Sequence, residues 1–138
     1  MLEIDRQKIK ALAEKYSLEL VVLFGSKATG QTHENSDIDI AYLPTPDFSV
    51  DNEGKLYLDL METVKNNQLD LVNLKQVSPL LLKQITDQCV VLYERRVSTF
   101  NRFVLYVSRL YNESAPLRQL EKDFVLNKTK LYTMQLSA

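Results

Sequence analysis

The sequence predicts an α/β (α+β) fold: a small mixed β-sheet of about four strands flanked by helices, with a C-terminal helical extension. Three observations lead there. Short, largely apolar runs bounded by turn residues recur along residues 1–94, segments of helical period lie between them, and from residue 95 onward only the helical period remains.

Ile4, Ile9, Leu12, Ala13 and Tyr16 fall at helical spacing behind Asp5, which predicts an amphipathic helix over residues 5–16. Residues 18–24, with two adjacent valines, read as a buried strand that stops at Gly25 and Ser26. A second strand is expected over 37–43, ended by Pro44 and Pro46. Leu56, Leu60, Met61 and Val64 then give a helix closed by Asn66 and Asn67. A third strand follows over 69–74. Ser78 and Pro79 open a helix to about Gln88, since a capping serine followed by proline suits a helix start, and 89–93 form the fourth strand. Beyond it Val97, Phe100, Val104, Val107 and Leu110 mark one helical face. Ser114, Ala115 and Pro116 read as the cap of a last helix running to about Met134.

With 138 residues, 45% of them hydrophobic and 25% charged, the chain has the profile of one compact domain. Residues 1–94 form its core and 95–138 a helical extension packed on that core or on a partner. The apolar runs are far shorter than the roughly 20 residues that cross a bilayer, so no membrane partner is expected and the location is read as cytoplasmic. One Cys and one His exclude a disulfide framework and a zinc site of ordinary composition; Cys89, in an apolar run, reads as a buried small hydrophobe. The net charge of −1 conceals an asymmetry. Residues 95–138 hold eight Lys/Arg against three acids, a formal +5, which leaves −6 on residues 1–94. The basic segment has no evident base-stacking motif, and direct nucleic-acid binding is not expected.

The chemistry concentrates in carboxylates. In a strand, Asp37 and Asp39 point to one face while Ile38 and Ile40 point to the other. Two carboxylates at that spacing repel unless a cation lies between them, and Mg²⁺ accepts one or two protein carboxylates completed by water and phosphate oxygens. An isolated D-x-D is more often a solvent-facing strand. Asp70, an acid inside the apolar run 69–74, reads equally as a strand-edge acid exposed to water or as a third carboxylate that a neighbouring strand could bring beside the pair, as a two-metal phosphoryl-transfer site requires. Gly25 and Ser26 end the first strand in a turn that lets backbone approach a phosphate, although such a turn alone is an ordinary strand ending. Neither a Rossmann G-x-G-x-x-G nor a Walker G-x-x-x-x-G-K-[ST] is present.

Ser26 and Asp37 are separated by ten residues, so the segment reads G-S-x10-D-x-D, which resembles the signature of the DNA polymerase β-like nucleotidyltransferases. "LFGSKATGQTHENSDIDIAYL", followed about thirty residues later by "LDLVNL", is similar to the minimal nucleotidyltransferase (MNT) proteins, over residues 1 to about 94. The resemblance implies a polymerase β-like nucleotidyltransferase fold. It also implies a site in which Gly25 and Ser26 hold the ATP triphosphate, Asp37 and Asp39 ligate two Mg²⁺ ions, and Asp70 is a third ligand that helps deprotonate the attacking hydroxyl. Many relatives carry Arg after the Gly-Ser; Lys27 stands there in this chain, a cation for phosphate but not a bidentate one. The implied task is that of an antitoxin in a HEPN/MNT toxin-antitoxin system. Such a protein adenylyltransferase transfers AMP from ATP to a tyrosine of a HEPN ribonuclease toxin encoded nearby, with which it forms a hetero-oligomer. Two other readings stay open: a small-molecule nucleotidyltransferase of aminoglycoside-modifying type, and a non-catalytic antitoxin that acts by binding alone.

His33 and Ser36 lie in the segment before the D-x-D strand and read as loop residues, as do Thr29 and Gly30. Tyr42 suits either the core or a stack on adenine. The loop 45–52 is long enough to cover a site or touch a partner. For the aromatic residues at helical intervals beyond 95 (Phe100, Phe103, Tyr106, Tyr111, Phe124 and Tyr132), the core is expected to take most.

Overall fold

A computed structural model of the chain describes residues 4–25, Ala28, Gly30, 37–65 and 68–136. Helix α1 (Arg6–Lys15) starts where expected because the Asp5 carboxylate accepts the otherwise orphan amides of Gln7 and Lys8, at 3.0 and 3.4 Å. Its inner face buries Ile9 and Ala13. Strands β1 (Leu18–Phe24) and β2 (Ile38–Pro44) pair antiparallel, α2 (Glu53–Val64) follows a short 3₁₀ turn at Val50–Asn52, and β3 (Leu69–Asn73) then pairs parallel with β2. Helix α3 (Pro79–Asp87) has Ser78 as its N-cap, the hydroxyl accepting the Leu81 amide at 3.2 Å, with proline in the first turn, as the sequence predicts. Strand β4 (Val90–Glu94) pairs antiparallel with the other side of β1, and α4 (Thr99–Glu113) and α5 (Ala115–Leu136) complete the chain.

The sheet is mixed, in the order β3-β2-β1-β4. Both of its faces are covered. On one side α1 and α2 pack Ile9, Ala13, Leu56 and Leu60 against Val21, Ile38, Ile40 and Tyr42. On the other, Leu82 and Ile85 of α3 and Phe103 and Val107 of α4 pack against Leu20, Val22 and Ala41. The α4 face follows the helical period of its apolar residues, so the first of the two C-terminal helices belongs to the same core as residues 1–94.

Some sequence expectations are corrected and others, left open by the residues, are decided. The second strand begins at Ile38, one residue after Asp37, and runs through Pro44. Ser114 does not cap α5 with its side chain: its hydroxyl donates back to the Tyr111 carbonyl at 2.8 Å, at the junction that ends α4. Tyr42 is a core residue, fully buried, its hydroxyl donating to Glu53 at 3.0 Å. The loop after β2 is anchored at its start, where buried Thr45 donates to the Ser17 carbonyl at 2.8 Å and Phe48 packs on the Tyr42 ring. Cys89 is half-buried beside the second core cluster. Of the C-terminal aromatics, Phe103 is buried, Phe100 and Tyr111 partly so, while Tyr106, Phe124 and Tyr132 are exposed. Asn66 and Asn67 lie outside the described residues.

Candidate active site

The site grows out of strand alternation. Ile38 and Ile40 are completely buried under α1 and α2, which turns Asp39 to the opposite face, the one that Ala41 shares with α3 and α4. In β3, Leu69 and Leu71 pack on the α1–α2 side and Val72 on the other. Asp70 therefore faces the same way as Asp39. The parallel register then does what no sequence pattern fixes: Asp39 and Asp70 are direct partners across β2 and β3. Parallel strands lie about 4.8 Å apart, so the two carboxylates are neighbours. Asp37 immediately precedes β2 and is exposed, like Asp70; Asp39, on an interior strand, is partly buried.

The electrostatic consequence is concentrated on the middle carboxylate. Burial pushes the Asp39 pKa above the ordinary carboxylate value, and the negative charges of Asp70 and then Asp37 push it the same way. A carboxylate so placed favours any cation that can share it. Among the described residues, no three acidic, histidine or cysteine side chains converge closely enough to enclose an ion by themselves. The donor set would nonetheless suit a hard divalent cation: oxygen only, with Asp70 opposite Asp39 across the strands and Asp37 two residues before it. The remaining positions are left to water and substrate oxygens, the coordination Mg²⁺ prefers.

Gly25 closes the site from the neighbouring strand. Phe24, the last residue of β1, is the register partner of Asp39, and the next residue turns away with φ +75°. A Cβ built on Gly25 would fall onto the Asp39 carboxylate oxygen Oδ2. Glycine is thus required twice here, for the left-handed backbone and for the close approach of the carboxylate. The Ala28 amide donates to the Gly25 carbonyl at 3.1 Å, forming the tight turn that the sequence placed after β1. Ser26, Lys27, Thr29, His33 and Ser36 lie outside the described residues. A shallow depression of about 540 Å³ borders Asp70 at the outer edge of β3, lined by Val50, Glu53, Tyr57 and Leu71. A groove of about 720 Å³, lined by Leu43, Leu74, Arg96, Arg102 and Phe103, lies toward the opposite end of the strands and touches none of the three carboxylates.

Carboxylates gathered across two parallel strands beside a glycine turn could hold divalent ions for phosphoryl chemistry. The chain belongs to the polymerase beta nucleotidyltransferase family, whose model matches residues 7–97. Among curated proteins it is similar to the protein adenylyltransferase MntA of Shewanella oneidensis, 35% identical over 86 residues that cover 61% of this chain and 60% of that protein. The matched stretch thus spans less than two thirds of that relative. Among solved structures, a chain from a toxin-antitoxin crystallised with AMP-PNP aligns with TM-score 0.74 and 29% identity over 89% of this chain and 99% of the other. A chain from a complex of the tri-AMPylated Shewanella oneidensis HEPN toxin with its MNT antitoxin aligns with TM-score 0.68 and 26% identity, over 88% and 95%. Only six residues precede the family match, so a likeness over 89% of the chain includes more than half of residues 98–138.

Proposed function

We propose that this chain is the antitoxin of a HEPN/MNT pair and silences a HEPN ribonuclease in the cytoplasm by Mg²⁺-dependent transfer of AMP from ATP to a toxin tyrosine. The observation that carries the reading is the pairing of Asp39 with Asp70 across β2 and β3, with Asp37 beside them and Gly25 held against the Asp39 carboxylate. The likeness to an adenylyltransferase and to a chain crystallised with AMP-PNP supports ATP as the donor.

In this reading Asp37 and Asp39 would hold two Mg²⁺ ions, with Asp70 as the third ligand. When bound, the ions supply Lewis-acid charge along the phosphates. Every other task falls to the chain. The turn at Gly25, with Ser26 and Lys27 next in sequence, receives the β- and γ-phosphates through backbone amides, a hydroxyl and an ammonium group. Asp70, at the open edge of the sheet, takes the proton of the incoming tyrosyl hydroxyl. The tyrosyl oxygen then bonds to the α-phosphorus as the bond to the bridging oxygen breaks, and pyrophosphate leaves. Catalysis of this kind comes mainly from positioning and from charge placed ahead of the reaction. The depression that borders Asp70 is shallow and open, which suits a macromolecular acceptor better than a small one.

Intact-mass spectrometry of the HEPN protein encoded beside this chain, after incubation with the chain, ATP and Mg²⁺, tests the proposal. Mass steps of AMP are expected with the native chain and none with the double Asp37→Asn, Asp39→Asn variant. A native chain that adds no AMP yet still suppresses the ribonuclease would replace the proposal with protection by binding alone.

A further inference from the structure

Helix α5 spans 22 residues and buries none of them. Its exposed side chains include large apolar ones beside the polar ones a solvated helix presents. Leu117, Leu120, Phe124, Leu131 and Met134 recur at steps of three, four and seven along one side, and each is 58–67% exposed. Tyr132 and Leu136 widen the apolar surface around the helix, at 58% and 87% exposure. Large apolar side chains exposed together along one helix mark an interaction surface. Here the core has no place for it, since the face of the sheet it could cover is already taken by α3 and α4.

The junction with α4 is built to hold α5 in place. The Arg118 guanidinium donates to the Tyr111 carbonyl at 2.7 Å and to the Ser114 hydroxyl, and it lies 3.6 Å from the Tyr111 ring centroid. These contacts fix the first turn of α5 against the last turn of α4, so the apolar surface is displayed on a preset arm. Presetting reduces the ordering cost of association.

We infer that α5 is the element by which this chain grips its toxin: an apolar docking arm, bearing Lys122, Lys128 and Lys130, that seats in an apolar groove of the HEPN protein bordered by carboxylates. The inference rests on the proposed antitoxin function for the identity of the partner. Two further observations favour that occupant. The family match ends at residue 97, whereas the likeness to the chain from the toxin-antitoxin crystal reaches well into residues 98–138. The arm also carries four basic side chains against two acidic ones, Glu121 and Asp123, so a surface edged with acids complements it and a second copy of the same arm does so less well. Exposed apolar side chains along a helix of this length offer roughly the 800 Å² per partner of a stable interface.

The test compares the full native chain with a Phe124→Asp, Leu131→Asp variant, using the purified HEPN protein encoded beside it. Affinity is read by calorimetry and AMP transfer by intact mass, over a range of toxin concentrations. Since α5 buries nothing against the core, the variant is expected to keep the thermal midpoint of the native chain. Two central anchors exchanged for charges should weaken binding by about 100-fold or more. Transfer at low toxin should fall through KM, with kcat at saturating toxin retained. Native-like affinity in the variant would overturn the inference. So would a native chain that elutes alone as a dimer, with the variant a monomer of unchanged toxin affinity, because α5 would then join two copies of this chain. A native chain that binds through α5 yet transfers no AMP would leave the docking arm standing and remove the catalytic proposal instead.

Discussion

A methyl group placed on Gly25 tests the link between the turn and the carboxylates. Gly25→Ala must adopt φ +75°, which costs an L-residue about 1 kcal/mol relative to glycine. Its Cβ must also displace the Asp39 carboxylate, and forcing that side chain off its rotamer adds roughly 0.5–1.5 kcal/mol. The total is about 2 kcal/mol, or roughly 6–10 °C in the thermal midpoint of a domain this size. Activity should fall further than stability, because the methyl acts on the carboxylate expected to hold the substrate's metal, and a displacement of about 1 Å at such a site costs on the order of 100-fold. Gly30 is the internal control. Its φ is +79°, yet a Cβ there would meet nothing within 4 Å among the described residues. Gly30→Ala should therefore lose only the conformational part, about 1 kcal/mol, with near-native turnover. Calorimetric melting and initial rates of AMP transfer on both variants decide the matter. Equal losses of stability and of activity at the two glycines would refute the argument, since the approach of Asp39 would then have no bearing on the need for glycine at 25.

Two other outcomes follow from the electrostatics. Because burial and the neighbouring Asp70 and Asp37 charges disfavour ionised Asp39, Asp39→Asn should melt above the native chain at neutral pH in the absence of divalent ions while losing transfer; added Mg²⁺ should raise the native midpoint and leave the variant's unchanged, as melting curves with and without the ion will show. On the other side of the sheet, the Tyr16 hydroxyl donates to Asp59 at 2.5 Å and holds its pKa below the ordinary value, with Lys15 also contributing. That stability is present above the unfolded carboxylate pKa and is lost as pH falls through the lower folded one. Tyr16→Phe should cost about 1 kcal/mol at neutral pH, with the deficit shrinking in acid as Asp59 is protonated in the native chain too; equal deficits at pH 7 and pH 2.5 in denaturant titrations would refute it.

The sequence by itself determined the elements and their sides. Alternation in β2 had to send Asp39 away from Ile38 and Ile40, and the caps at Asp5 and Ser78 had to start helices where they do, because these are local consequences of backbone geometry and of orphan amides. The spacing of Gly25, Asp37 and Asp39 pointed to the proposed chemistry for the same reason, since one turn, one strand and the residue just before that strand carry all three. Only the tertiary structure decided that β3 lies parallel to β2 with Asp70 opposite Asp39, for a slip of a single residue would have turned Asp70 to the other face. Only it showed that the Asp39 carboxylate fills the space a Cβ on Gly25 would need. The same limit explains the C-terminal aromatics. Helical spacing identifies a face but not its neighbour, so Phe103 and Phe124 read alike in sequence, and the fold buries one in the core while leaving the other on an arm with no intramolecular surface to meet.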